Sequence, residues 1–258
     1  MRNKVTSEEE ILLCDMLGIE RIGLYMRDLS LSESQSIQFE GALKRRAKGE
    51  PLQYIMGRTE FFGLSFFVGP GVFIPRPETE VLVEAVVDKC RGERPFAPTI
   101  LDLCTGSGCI AICLAKYAKC GKIIATDISA KSLQIARKNA VLNNADEKIE
   151  FRQADLFQGL QEKFDIITCN PPYIKREDIK NLPREVSYDP IIALDGGEDG
   201  LDFYRKITEQ VHKFLKENGI LIMELGDNQA EAVKNMFSGK TEIINDLNGI
   251  ERALIWTK

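Results

Sequence analysis

The sequence predicts an α/β protein: a mostly parallel sheet with helices on both faces, preceded by a smaller helical region. Three observations lead there. Beyond Pro98, strand-like runs alternate with helix-length stretches, and parallel strands need crossover connections. The run 99–103 passes directly into a glycine-rich turn and then a helix, an arrangement found at ligand sites of open sheets. Before Thr59 strand signals give way to helix caps. At 258 residues and 44% apolar content, the chain can build two unequal units with a sizeable core.

The elements follow in order. Ser7-Glu8-Glu9-Glu10 and Ser32-Glu33-Ser34-Gln35 fit the capping box, with Gly18 and Gly49 as suitable stops. The cations of Lys44-Arg45-Arg46-Ala47-Lys48 complement the dipole at a helix end, in preference to gripping an acidic partner. From Thr59 to Ile74, aromatic and β-branched residues around Gly63 and Gly69-Pro70-Gly71 predict a hairpin between two domains. Pro75-Arg76-Pro77-Glu78-Thr79-Glu80 leads into an apolar-periodic helix ending near Cys90. TILDLC, KIIATD, KIEFRQ, FDIITC and GILIMEL are the strand candidates, with helices over stretches such as 129–142 and 200–216. TEIINDL and NGIERALIWTK close the chain as a hairpin around Asn248-Gly249. The expected boundaries are 1–57 for the helical domain, 58–75 for the hairpin linker and 76–258 for the α/β domain.

Composition narrows the function. The formal charge is −5 and the charges are dispersed, so the chain lacks the basic face of a general nucleic-acid or anionic-membrane binder. No apolar run reaches membrane-spanning length and MRNKVTSEEE has no signal-peptide core, so a cytoplasmic location is expected. Seven cysteines, at 14, 90, 104, 109, 113, 120 and 169, include no C-x-x-C pair. A zinc site built on Cys104, Cys109 and Cys113 lacks a fourth ligand at suitable spacing, so reduced thiols and no metal are expected. The one histidine, His212, is remote from them and leaves no Ser-His or Cys-His nucleophile.

Cys104-Thr105-Gly106-Ser107-Gly108 follows the first strand of the α/β region. Glycines there let backbone amides approach a ligand, and the helix N-terminus favours an anionic group. Asp127 closes the next strand, where a carboxylate can bind ribose hydroxyls. Taken alone, Gly106-x-Gly108-x-x-Ala111 with Asp127 fits NAD and S-adenosylmethionine equally. The fourth strand separates them, because it ends in Asn170-Pro171-Pro172-Tyr173 beside the same ligand position. A planar amide or aromatic amine is a weak nucleophile, and two acceptors on its hydrogens orient it and stabilise the growing positive charge. The Asn170 side-chain oxygen and the Pro171 carbonyl can supply them, Pro172 holds that carbonyl, and Tyr173 offers a stacking face. In isolation Asn-Pro-Pro reads as a plain turn. Asp155-Leu156-Phe157, closing the third strand, is either the adenine end of the pocket or simply core.

These motifs closely resemble the HemK family of protein-(glutamine-N5) methyltransferases over nearly the full chain. The resemblance also rests on Gly49-Glu50-Pro51-Leu52-Gln53-Tyr54-Ile55, on Val72 to Glu80, and on Ala193-Leu194-Asp195-Gly196-Gly197-Glu198-Asp199-Gly200-Leu201. It implies a Rossmann-like class I methyltransferase domain of seven strands with a C-terminal antiparallel hairpin, and a helical domain for substrate recognition. It implies S-adenosylmethionine as cofactor, bound by Cys104, Thr105, Gly106, Ser107, Gly108, Asp127, Leu156 and Asn170, with S-adenosylhomocysteine as product. Asn170, Pro171, Pro172 and Tyr173 would hold the substrate glutamine, with Asn170, Pro171 and Tyr173 catalytic. The implied partner is the Gly-Gly-Gln loop of class I peptide-chain release factors; a monomer is expected, and the charge and composition above lead to no direct nucleic-acid binding and no membrane contact. Cys104 departs from the family, whose loop begins with glycine, and implies a crowded methionine end or a less strained backbone. At Leu156 some members carry a larger aromatic.

Two rivals stand beside this reading. An amine methyltransferase acting on nucleic acid needs a basic groove, whereas residues 1–75 carry 9 basic and 10 acidic side chains. A non-catalytic S-adenosylmethionine-binding protein would follow from a loop disabled at Cys104.

Overall fold

In the computed structural model, which describes residues 7–26, 30–91 and 97–258, the chain opens with α1 (Glu8–Leu17) and α2 (Gly23–Met26). Then come α3 (Glu33–Ala47) and α4 (Leu52–Met56). The ends of the expected 1–57 unit at residues 1–6, its residues 27–29, and residues 92–96 of the α/β unit lie outside the described residues. Both capping boxes form: Ser7 accepts from the Glu10 amide and Ser32 from the Gln35 amide, satisfying donors a first helical turn leaves free. Gly18 closes α1 in the left-handed conformation.

The basic end of α3 does more than complement a dipole. Arg45 pairs with Glu50, and Arg46 pairs with both Glu8 of α1 and Glu185, far along the chain. Strands β1 (Arg58–Phe61) and β2 (Leu64–Phe67) form the expected hairpin. Its two-residue turn, Phe62-Gly63, has positive φ at both positions, the backbone that matches strand twist. Phe62 adopts it against its side-chain preference, and its amide is held by the Glu80 carboxylate at 2.7 Å. Phe61 and Phe66 bury edge to face beneath the turn.

A turn over Pro77–Thr79 then feeds α5 (Glu80–Cys90). The α/β part runs β3 (Ile100–Leu103), α6 (Cys109–Tyr117), β4 (Ile123–Asp127), α7 (Ala130–Leu142), β5 (Ile149–Gln153) and β6 (Phe164–Cys169). It ends with α8 (Asp202–Phe214), β7 (Leu215–Glu224), α9 (Ala230–Lys234), β8 (Thr241–Asn245) and β9 (Glu251–Thr257). The sheet order is β5-β4-β3-β6-β7-β9-β8, with β9 antiparallel to both neighbours and the remaining pairs parallel. Alternation divides the core. Ile100, Ile123, Ile166 and Ile222 face α5 and α6 on one side, while Leu101, Ile124, Ile167 and Met223 face α8 on the other. Strands buried on both faces read as continuous aliphatic runs, which is why the sequence exposes them. The order in which the parallel strands are laid down reverses at β3, whose neighbours are β4 and β6, so the carboxyl ends of these strands meet at one crevice.

Candidate active site at the carboxyl ends of the strands

A cavity of about 330 Å³ opens at that crevice. Cys104, Thr105, Gly106 and Ser107 line it from β3, Asp127 from β4, and Asp155 and Leu156 from beyond β5. Asn170, Pro172 and Tyr173 line it from the turn after β6. Nine of the eleven sequence-derived site residues therefore converge from four strands, and Gly108 and Pro171 do not line the cavity.

The loop after β3 is tied at several points. Thr105 donates its amide to the Thr126 carbonyl at 2.9 Å, and its hydroxyl to buried Asp102 at 2.6 Å. Asp102 also accepts from Thr168 at 2.8 Å, and burial pushes its carboxyl up to about 6 despite these bonds. Ser107 offers its carbonyl to Asn139 of α7 at 2.9 Å. Asp127 accepts from the Gly106 and Ser129 amides, both at 2.8 Å, so the carboxylate expected to reach a ribose also shapes the glycine loop. Burial raises its pKa, partly offset by those amides.

The glycines separate by task. A Cβ on Gly106 would meet nothing nearer than the Cys104 carbonyl at 4.0 Å, so its open side faces the cavity. Gly108 does not line the cavity. There a Cβ would press Ala136 and Ile112 at 3.1 Å, so the glycine is needed where α6 starts against α7. Cys104 has φ 56, the left-handed region that glycine tolerates best. The backbone thus keeps the strained form with a side chain in place, which goes against the second of the two alternatives, a less strained backbone, and leaves the first, a crowded methionine end. Leu156 also has positive φ, at 48, and belongs to the core as well as to the cavity wall. Phe157 turns away from the cavity and stacks on Phe214 with centroids 4.6 Å apart.

The turn after β6 is organised by side chains remote in sequence. Asn170 donates its Nδ2–H to Thr79 Oγ1 at 3.2 Å, leaving Oδ1 free as an acceptor. Tyr173 donates its hydroxyl to Glu224 at 3.3 Å, and Gln229 holds the Tyr173 carbonyl at 3.0 Å. Pro171 is buried and is not a lining residue, so the cavity meets this turn through Asn170, Pro172 and Tyr173. Glu224 is 2% exposed, and burial pushes its carboxyl up to about 7 against the lowering effects of Thr79, Arg252 and Tyr173. Sequence reasoning missed Thr79 and Glu224 as site residues. A lone acid at the end of the aliphatic run GILIMEL was the available signal for the second.

The cavity's donor set suits S-adenosylmethionine: an open-sided glycine loop for the amino-acid part, Asp127 for ribose hydroxyls and an apolar wall at Leu156 for an adenine. No group of three or more metal-ligating side chains occurs among the described residues.

Comparisons with known proteins converge on one family. A family model described as PrmC N-terminal domain matches residues 4–57, and one described as Methyltransferase domain matches 97–257. A release factor glutamine methyltransferase of Thermodesulfovibrio yellowstonii is 42% identical over 257 residues, covering 97% of this chain and 92% of its own. Its counterpart from Geobacter sulfurreducens is 42% identical, covering 96% and 87%. Among solved structures, a methyltransferase from Pyrococcus furiosus superposes with TM-score 0.57 at 21% identity, covering 76% of this chain and 89% of that one. The hMettl16 catalytic domain in complex with the MAT2A 3'UTR hairpin 6 reaches 0.62 at 18% identity, covering 99% and 93%. These two likenesses establish the fold.

Proposed function

The chain belongs to the release factor glutamine methyltransferase family, and from that premise we propose that it transfers a methyl group from S-adenosylmethionine to the side-chain amide nitrogen of the glutamine in the Gly-Gly-Gln loop of class I release factors. The observation that carries this reading is the orientation of Asn170. Its NH2 donates one hydrogen to Thr79, which fixes the amide with its oxygen as the acceptor open to the hydrogens of an incoming amide. In our reading the carbonyl of Pro171 takes the second hydrogen, and Pro172 with the ring of Tyr173 forms the wall along the planar amide. Two acceptors hold the nitrogen lone pair in line and grow in strength as positive charge develops, which favours the transition state over the bound amide.

When bound, the cofactor supplies an electrophilic methyl group on a sulfonium. Cys104 to Ser107, Asp127 and Leu156 would hold it, and Asp127 would serve both the loop amides and the ribose. No imidazole is required, because the amide proton becomes acidic only once the nitrogen carries the methyl. We further read residues 1–57 as the surface that recognises the release factor and 58–75 as the linker. The same reading has the protein working as a cytoplasmic monomer without direct nucleic-acid contact, in keeping with its near-neutral N-terminal charge.

Mass spectrometry of a purified class I release factor incubated with the protein and S-adenosylmethionine tests the reading. One methyl on the glutamine of Gly-Gly-Gln is expected. No methyl there, with methyl appearing instead on an oligonucleotide, would replace it with the nucleic-acid reading. Asn170→Ala should keep cofactor affinity within a few fold and lower turnover by roughly 10² to 10³. Turnover within threefold of the parent would remove Asn170 from the chemistry.

A further inference from the structure

Asn170 can accept from a substrate amide only while its own NH2 points away, and an asparagine amide has no intrinsic preference between its two faces. What selects one face must be a neighbour that accepts and does not donate. Thr79 is that neighbour, yet a hydroxyl can do either. Its choice depends on where its own proton goes. The Thr79 hydroxyl favours the ionised form of Glu224, and Glu224 Oε2 is buried with no partner in hydrogen-bonding geometry, which leaves it as an acceptor open to that proton. Glu224 Oε1 already receives the Tyr173 hydroxyl. An ionised carboxylate accepts only, so both hydroxyl protons are drawn toward it.

We propose that Glu224 is a positioning residue for methyl transfer: as a carboxylate it draws the Thr79 proton, makes Thr79 an acceptor, and so turns the Asn170 oxygen toward the substrate. This rests on the acceptor role of Asn170 in the proposed function. Protonated Glu224 reverses the chain. Its O–H can be given to Thr79, the Thr79 proton is then free to point at Asn170, and the Asn170 amide flips to present NH2 to the substrate. Donor would meet donor, and the amide would no longer be held. The reach of this effect includes Tyr173, whose phenol sits on the same carboxyl and lines the cavity.

The surroundings of Glu224 bear on when it ionises. Arg252 of β9 favours the carboxylate and Glu78 opposes it. Arg252 is itself paired with Asp227 and Asp246, which dilutes its pull. Cys109 of α6, Cys169 of β6 and Tyr204 of α8 lie within its field, and the Tyr204 hydroxyl donates to the Glu224 main-chain carbonyl at 3.0 Å. Burial dominates and raises the carboxyl into the neutral range.

The test is the pH dependence of kcat from pH 6 to 8 with saturating release factor and S-adenosylmethionine, for the parent, Glu224→Gln, Thr79→Val and Thr79→Ser. The parent should lose about tenfold in kcat toward pH 6 along a one-proton limb. Glu224→Gln, which can donate to Thr79 as the neutral acid does, should be at least tenfold slower at pH 8 and flat across the range. Its KM for the cofactor should stay within threefold. Thr79→Val should be slow and flat too, whereas Thr79→Ser should restore rate and limb. A Glu224→Gln enzyme that keeps the parental rate and limb overturns the inference. So does a carboxyl pKa of Glu224, read by carbon-13 NMR on the parent, that differs from the kinetic value by more than one unit. That measurement decides the matter if the variant fails to fold. A parent that adds no methyl would instead remove the function on which the inference stands.

Discussion

Cys104 sits at the point where β3 hands the chain to the glycine-rich loop, with φ 56 and a side chain packed against the core cluster that contains Leu103 and Cys169. A residue with a Cβ in this region costs about 1–2 kcal/mol, while glycine there gives up side-chain contacts and about 0.5–1 kcal/mol of backbone entropy. The two nearly cancel. Cys104→Gly is therefore expected to change unfolding free energy by less than about 1 kcal/mol, and to keep cofactor affinity within threefold. Calorimetric titration with S-adenosylmethionine checks it, and a tenfold loss would show that the thiol itself touches the cofactor. At this scale the sequence told half the story. Asp127 was visible as a cavity residue because it closes β4, and Asn170 and Tyr173 because they flank the Pro-Pro turn that follows β6. Thr79 was hidden because its partner Asn170 is 91 positions away and nothing local connects them. Asp102 and Glu224 were within reach, since a single carboxylate inside an aliphatic strand must either find partners or stay protonated.

Between elements, the helical region is fastened to the α/β part by bonds that converge on the segment around 184–189. Asp189 is buried, pairs with Arg76 of the turn before α5, and accepts from the Tyr54 hydroxyl of α4 at 2.9 Å and the Ile74 amide at 3.3 Å. Tyr54 and Asp189 are separated by 135 positions, so no reading of local pattern could join them. The secondary-structure pattern was plain where periodicity had room, as in α7 and α8, and silent for α2 and α9, which have 4 and 5 residues. The clasp makes a prediction. Arg76→Ala leaves a buried carboxylate facing Tyr54 without its cation, which costs about 3 kcal/mol in comparable cases. Urea unfolding should show that loss, with Arg76→Lys recovering part of it. A change below about 1 kcal/mol would mean that Asp189 is already neutral and Arg76 idle. Val186, Pro190 and Ile192, in and just after the same segment, line the cavity at the strand ends, so the clasp also holds one wall of that cavity against the helical region.

For the molecule as a whole, the arrangement gathers carboxylates in its interior: Asp102, Asp127, Asp189 and Glu224 all have raised pKa values, with burial the leading cause. This sets a sign for stability against pH. A carboxyl whose folded pKa lies above its unfolded one binds its proton more tightly when folded. Between those two values the folded state holds more protons than the unfolded chain, so stability falls as pH rises. For Glu224 the window runs from about 4.5 to about 7, and for Asp102 from about 3.8 to about 6. Surface carboxylates held low, such as Glu150 beside Arg152 and Lys122, are ionised in both states above pH 6 and add no slope there. The cofactor-free protein should thus be more stable at pH 6 than at pH 8, by on the order of 1–2 kcal/mol, most of it from Glu224. Urea midpoints at the two pH values measure this directly, and Glu224→Gln should remove the larger share of the difference. A midpoint that is equal or lower at pH 6 would mean that the interior acids find compensation elsewhere. The expected result has a functional edge, because the ionised Glu224 that orients Asn170 is then the less stable form of the fold, and the site trades folding free energy for the polarity its chemistry needs.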